Sequence, residues 1–168
     1  LNKRQVPLST QKVPPEHLAA MYNMVDCTVN ISDAEGFGLS TLESLSCATP
    51  IIVNMTGGLQ EQVTDGKEFF GVGLMPTAKA IIGSQEVPYI YEDRVDKGQF
   101  FSALSKIYYC SAEARREMGL KGLQHVKNNY NFKDFEKKWV EFMDEIVEEN
   151  GSWETRKGYQ GIRFKEVA

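Results

Sequence analysis

The sequence predicts an α/β domain: a parallel sheet with helices on both faces, ending in a helical segment. Three observations carry that expectation. Strand, turn, helix and strand follow one another between Cys27 and Val53, a span of about 25 residues that suits one βαβ unit. The run Ile51-Ile52-Val53 is apolar at every position, as in a strand covered on both sides. Beyond Asp96 the apolar residues recur with helical period.

The elements follow in order. Pro14-Pro15 opens a helix reaching about Val25, with Leu18, Met21, Tyr22 and Val25 on one apolar face. Cys27-Thr-Val-Asn-Ile31 is short and rich in branched residues, hence a strand. A Gly36-Phe37-Gly38 turn leads into a helix over residues 39–48, and Pro50 begins the second strand. Thr56-Gly57-Gly58 turns the chain into a short helix over residues 59–64, closed by Asp65-Gly66. In the less regular residues 67–92, Val72-Gly-Leu-Met75 and Tyr89-Ile-Tyr91 are expected as edge strands around a loop over residues 76–88.

Three helices are expected after that. Phe100, Phe101, Leu104, Ile107 and Tyr108 mark one, and Ser111-Ala-Glu113 opens another that reaches about Asn128. The third starts near Asn131 and is expected to bury Phe135, Trp139, Phe142, Met143 and Ile146. This divides the chain into a domain over residues 1–150 and an extended, basic and aromatic tail over residues 151–168.

The 168 residues suffice for one domain with a substantial core. A formal net charge of −4 argues against nucleic acid or an anionic membrane as the main partner. No apolar run approaches the roughly 18 residues that a membrane span needs, and the N-terminus lacks the apolar stretch of a secretion signal. Cys27, Cys47 and Cys110 are odd in number and irregularly spaced, so they read as reduced thiols in a cytoplasmic protein, with no zinc site or disulfide framework. The sequons at Asn30, Asn54 and Asn150 read as chance matches.

The chemistry is expected at the second helix. The turn at Gly36-Phe37-Gly38 presents the backbone N–H groups of the first helical turn, around Leu39, Ser40 and Thr41, at the carboxyl end of a strand. Unpaired donors and about half a positive charge at a helix N-terminus suit a phosphate, and glycines let a ligand approach the backbone. Glu35 precedes the turn and Glu43 lies about a turn inside the helix. Carboxylates there would repel phosphates and would instead accept hydrogen bonds from hydroxyls on either side. Their separation, on the order of 10 Å, fits a ligand with sugars at both ends of a diphosphate. That is a nucleotide sugar.

Ser32, Glu35-Gly-Phe-Gly-Leu39, Leu42-Glu43, Pro50-Ile-Ile-Val53, Gly57-Gly58-Leu59, Glu61, Val63 and Asp65-Gly66 together resemble the signature of retaining GT-B glycosyltransferases, glycosyltransferase family 4. The likeness is close over residues 14–66 and looser through the helices to Glu149. It implies the Rossmann-like C-terminal half of a GT-B fold, a domain that binds a nucleotide-diphosphate sugar. The implied activity is transfer of the sugar, of hexosyl type, to a sugar, glycan or lipid-linked acceptor, with retention of anomeric configuration and without a metal or cofactor. By that resemblance Glu35 is the catalytic-site carboxylate on the donor sugar. Gly36, Phe37, Gly38, Leu39 and Ser40 hold the sugar and the departing phosphate, and Glu43 binds the ribose hydroxyls.

The pattern also departs from that family. Ala48 stands where the family commonly has Gly, Gln60 replaces a frequent Pro, and residues 67–92 are longer than the usual link. The family's diphosphate-gripping Arg and Lys, and its acceptor-binding N-terminal domain, lie upstream of Leu1 by this reading. The tail is then expected to pack on that domain, and the 168 residues alone to be inactive. A nucleotide-sugar epimerase, a phosphorolytic enzyme of the same fold, and a non-catalytic nucleotide-binding module stand as alternatives. His17 and His125 have no Cys, Ser or Asp partners in a catalytic order, and the charge runs are read as solvated helix faces.

Overall fold

Three strands, β1 (Thr28–Asn30), β2 (Ile51–Asn54) and β3 (Gly71–Leu74), pair in parallel in that order, with Thr28 beside Ile51 and Ile51 beside Gly71. They belong to a computed structural model of the chain that describes residues 8–158. The chain divides into two compact units, Leu1–Asn129 and Tyr130–Ala168.

In the first unit β2 is central and every residue of it is buried, as its unbroken apolar character requires. Its side chains alternate between two cores. Ile51 and Val53 pack with Leu45, Leu59, Val63 and Phe70 on one face. Ile52 packs with Leu74, Ala103 and Ile107 on the other. The first core is covered by α2 (Leu39–Ser46) and α3 (Leu59–Val63), with Val126 of α5 (Ala112–Asn129) against it. The second is covered by α4 (Lys97–Tyr109). This is the predicted α/β class with helices on both faces of a parallel sheet.

Capping explains where the helices begin. α1 (Pro15–Met24) starts on Pro14-Pro15, whose ring-fixed φ suits a first turn. Asp96 caps α4 by accepting from the N–H groups of Gly98 at 2.7 Å and Gln99 at 3.1 Å. The Ser111 hydroxyl accepts from Ala114 N–H at 3.1 Å at the start of α5. After α2 the chain turns at Ala48, a non-glycine residue in the left-handed region with φ 55°.

The loop expected over residues 76–88 is corrected. It contains β4 (Ala78–Ile82), which pairs antiparallel with β5 (Ile90–Arg94) from Ala78 beside Arg94 to Ile82 beside Ile90. Ala78, Lys79, Ile81 and Ile82 all face solvent to a large degree, so β4 has no buried face to impose an alternating pattern. Val72, Gly73 and Leu74 lie on β3, which is an edge strand of the parallel sheet, as expected.

In the second unit α6 (Phe132–Asn150) starts at Asn131, whose side chain accepts from Asp134 N–H at 2.9 Å. Its aromatic stripe runs along the helix, with Phe135 stacked on Trp139 and Phe142 tilted against Trp139. The expectation that this helix buries Phe135, Trp139, Phe142, Met143 and Ile146 is corrected, because they are 38–60% exposed. Periodicity marks which face is apolar without saying what covers it. Residues 151–158 turn instead of extending: Arg156 lies over the Trp153 ring, and Lys157 Nζ donates to Glu148 O at 2.7 Å. Residues 159–168 of the expected tail lie outside the described residues.

Candidate active site

The loop from β1 to α2 carries the predicted site, and its shape is set by three neighbours. At its start the Asn30 side chain accepts from Ser32 N–H at 3.2 Å and donates to Ser40 Oγ at 3.2 Å, joining the two ends of the loop. Below it, buried Asn54 at the end of β2 donates to Ser32 O at 2.9 Å. No glycan could occupy Asn54 in this fold.

Beside the loop, the turn into α3 presses against its backbone. Gly58 N–H donates to Gly36 O at 3.1 Å. A Cβ on Gly57, which has φ +49°, would stand 1.7 Å from Glu35 O. Gln62, almost wholly buried, donates from Nε2 to Phe37 O. Among the described residues, Gln62 Oε1 and Asn54 Oδ1 are buried without a partner.

Glu35 is half-buried, with Oε2 3.4 Å from Ser32 Oγ. The Ser32 hydroxyl also stands 2.8 Å from Asn30 Oδ1, so its one proton serves one of these acceptors at a time. Glu35 therefore keeps acceptor capacity for a ligand.

Gly38 is the N-cap of α2, with φ +89°. A Cβ there would come within 2.4 Å of Leu59 Cδ2, so internal packing and backbone conformation both require Gly. Gly36 is different. Nothing lies within 4 Å of where its Cβ would be, so the space over it is open to a ligand. Of the two glycines, then, Gly36 serves approach and Gly38 serves the bend.

α2 has no side-chain cap and no acidic residue in its first turn. Gly38 O accepts from Thr41 N–H at 3.1 Å and Leu42 N–H at 3.4 Å. The N–H groups of Leu39 and Ser40 stand at the open end of the helix, both residues being exposed. The helix mouth is thus uncapped, electropositive and accessible.

Glu43 is exposed on α2, and its Oε2 accepts from Tyr22 OH of α1 at 2.9 Å. Burial and this bond to a carboxylate push the Tyr22 phenol up to about 12. Pro15, Leu18, Tyr22, Leu39, Leu42 and Glu43 line a cleft of about 310 Å³ between the two helices.

Several contacts here had no signal in the sequence: Tyr22 with Glu43, Gln62 with Phe37, and the link from the β4–β5 hairpin to Asp33. The pair Gly57-Gly58 could have been read as the clamp it is, since adjacent glycines mark a close backbone approach. The histidines lie apart from the loop: His125 packs at a tilt against Phe70 with ring centroids 4.7 Å apart, and His17 is exposed on α1. Cys27, Cys47 and Cys110 are free thiols. Burial pushes Cys27 up to about 11, and burial with the Glu43 charge raises Cys47. Among the described residues no group of His, Cys, Asp and Glu is arranged to hold a metal, and no helix is long and apolar enough to cross a membrane.

Comparison with known proteins finds similar chains. Residues 5–82, just under half of the chain, match the family model described as Glycosyl transferases group 1. The chain is 40% identical over 55 residues to D-inositol 3-phosphate glycosyltransferase of Acidothermus cellulolyticus, covering 33% of this chain and 12% of that protein. It is 32% identical over 82 residues to the enzyme of the same name from an Arthrobacter species, covering 48% of this chain and 18% of that protein. The chain thus spans less than a fifth of the length of these curated relatives. Among solved structures, sucrose-phosphate synthase from Thermosynechococcus elongatus matches with a TM-score of 0.59 at 22% identity, covering 80% of this chain and 28% of that one.

That last likeness shows the fold: an α/β layer like that of a GT-B glycosyltransferase. Together with the family match and the relatives, it supports a glycosyltransferase domain.

Proposed function

We propose that this domain binds a nucleotide-diphosphate sugar at the mouth of α2 and takes part in transfer of the sugar to an acceptor with retention of anomeric configuration. One observation carries the reading: the α2 N-terminus is left uncapped between a half-buried carboxylate, Glu35, and a second carboxylate, Glu43, held in place by α1.

In this reading the N–H groups of Leu39 and Ser40 meet the diphosphate. Negative charge grows on the phosphate oxygen as its bond to the sugar breaks. Fixed donors and the helix dipole oppose that charge without reorganising, the type of stabilisation that contributes most in many enzymes. Glu35 accepts from hydroxyls of the donor sugar and orients the reacting carbon, and Gly36 leaves room for the ring. Glu43 accepts from the ribose hydroxyls at the other end. The acceptor, a sugar, glycan or lipid-linked molecule, comes from beyond these residues, and an N-terminal domain of the same protein would complete the site. No step in this reading calls for a metal or cofactor, and the setting is cytoplasmic.

The test uses the intact protein with a panel of nucleotide-diphosphate sugars and product analysis. Glu35→Gln is expected to reduce transfer at least a hundredfold while the protein stays folded, the scale seen when one group stabilising the transition state is lost. An unchanged rate would remove Glu35 from the mechanism. Turnover of the donor without any acceptor would instead indicate an epimerase, and binding without turnover a non-catalytic module.

A further inference from the structure

We propose that Tyr22 is a positioning residue that presets the Glu43 carboxylate for the ribose of the nucleotide. The inference rests on the reading above, in which Glu43 meets the ribose hydroxyls.

Glu43 is exposed on a helix surface, where a glutamate samples many rotamers. Freezing it when a ligand arrives would cost affinity. Tyr22 removes that cost in advance. Its hydroxyl donates to Glu43 Oε2 at 2.9 Å. The phenol is itself anchored: it is half-buried, and the Tyr22 carbonyl accepts from the buried Thr49 hydroxyl at 2.9 Å, which ties this turn of α1 to the segment entering β2. Tyr22 and Glu43 share the wall of the cleft between α1 and α2, alongside Leu39 and Leu42.

The bond also leaves Glu43 enough capacity. A carboxylate has about four lone-pair sites. With one taken by Tyr22, Oε1 and the rest of Oε2 can still accept from two vicinal hydroxyls. Because the phenol stays protonated well beyond neutral pH, it remains a donor.

The experiment measures affinity of the intact protein for uridine, adenosine and guanosine diphosphates and for their 2′,3′-dideoxy counterparts. The wild type should favour the ribo form of whichever nucleotide it binds. Tyr22→Phe, which keeps the ring, should lower affinity for that form by about tenfold, the scale of one hydrogen bond to a charged group, and leave the dideoxy form unchanged. A general loss of folding would lower both affinities alike. Should Tyr22→Phe not fold, Glu43→Asp reads the same coupling from α2, because the shorter side chain cannot hold both the phenol and the ribose, and the ribo preference should collapse.

A Tyr22→Phe protein that keeps the wild-type preference overturns the positioning role and leaves the reading of Glu43 intact. A Glu43→Asp protein that keeps that preference likewise overturns the positioning role, and a wild type with no preference for the ribo form overturns both.

Discussion

Asp93 N–H donates to Asp33 O at 2.8 Å, and the neighbouring Arg94 guanidinium pairs with the Asp33 carboxylate, so the β4–β5 hairpin grips the site loop two residues before Glu35. Arg94 also pairs with Glu92, and Lys79 stands 3.9 Å from Asp93. A surface hairpin thereby reaches the segment that carries the candidate catalytic carboxylate.

The side chains of Arg94 and Asp33 are 39% and 46% exposed, so solvent screens the pair. Arg94→Ala is expected to leave stability nearly unchanged, as for other solvent-screened surface pairs. Its effect should appear instead in the site, as a severalfold rise in the donor KM with the thermal midpoint nearly unchanged. Activity assays beside thermal unfolding check this, and an unchanged KM would sever the hairpin from the site.

Gly36 and Gly57 should respond to alanine in opposite ways. Gly36→Ala meets no atom of the chain, so stability should hold while donor binding weakens, because the methyl fills the space over the loop. Gly57→Ala drives a methyl into Glu35 O from a left-handed backbone and should cost about 1–3 kcal/mol or more. Urea unfolding of both variants, with donor titration of Gly36→Ala, separates the ligand space from the structural contact.

Ala48 holds φ 55°, a conformation that costs an L-residue about 1–2 kcal/mol. Ala48→Gly relieves it at the expense of a looser unfolded chain, worth about 0.4–1 kcal/mol. The net expectation is a modest gain in stability with no change in donor affinity, readable as a raised denaturant midpoint.

Tyr22 predicts a pH dependence. Its pKa is raised from 10.0 to about 12 in the fold, so above pH 10 the unfolded chain loses this proton before the folded chain does. The stabilisation is complete below pH 10 and is lost as pH rises through about 12. Unfolding titrations of wild type and Tyr22→Phe at several pH values test this: the difference between them should shrink over that window, and a constant difference would contradict it.

Much of this was legible in the sequence, and what was missed has a common cause. The parallel layers follow from local signals: the unbroken apolar run of β2, Pro14-Pro15 before α1 and Gly36-Phe37-Gly38 before α2. The roles of the two loop glycines could only be separated once Leu59 was seen against Gly38 and nothing against Gly36. Contacts such as Gln62 with Phe37, or Asp93 with Asp33, join a side chain or backbone group to a distant loop and leave no periodic trace. β4 escaped because, exposed along nearly its whole length, it carries no alternation. The period of α6 marks an apolar stripe, but a stripe names no partner.

The most direct test is the structure of the intact protein bound to a nucleotide-diphosphate sugar that it uses. The diphosphate is expected within hydrogen-bond distance of the Leu39 and Ser40 N–H groups, with Glu35 on hydroxyls of the transferred sugar and Glu43 on those of the ribose. A diphosphate seated elsewhere, or both carboxylates turned from the ligand, would contradict the account.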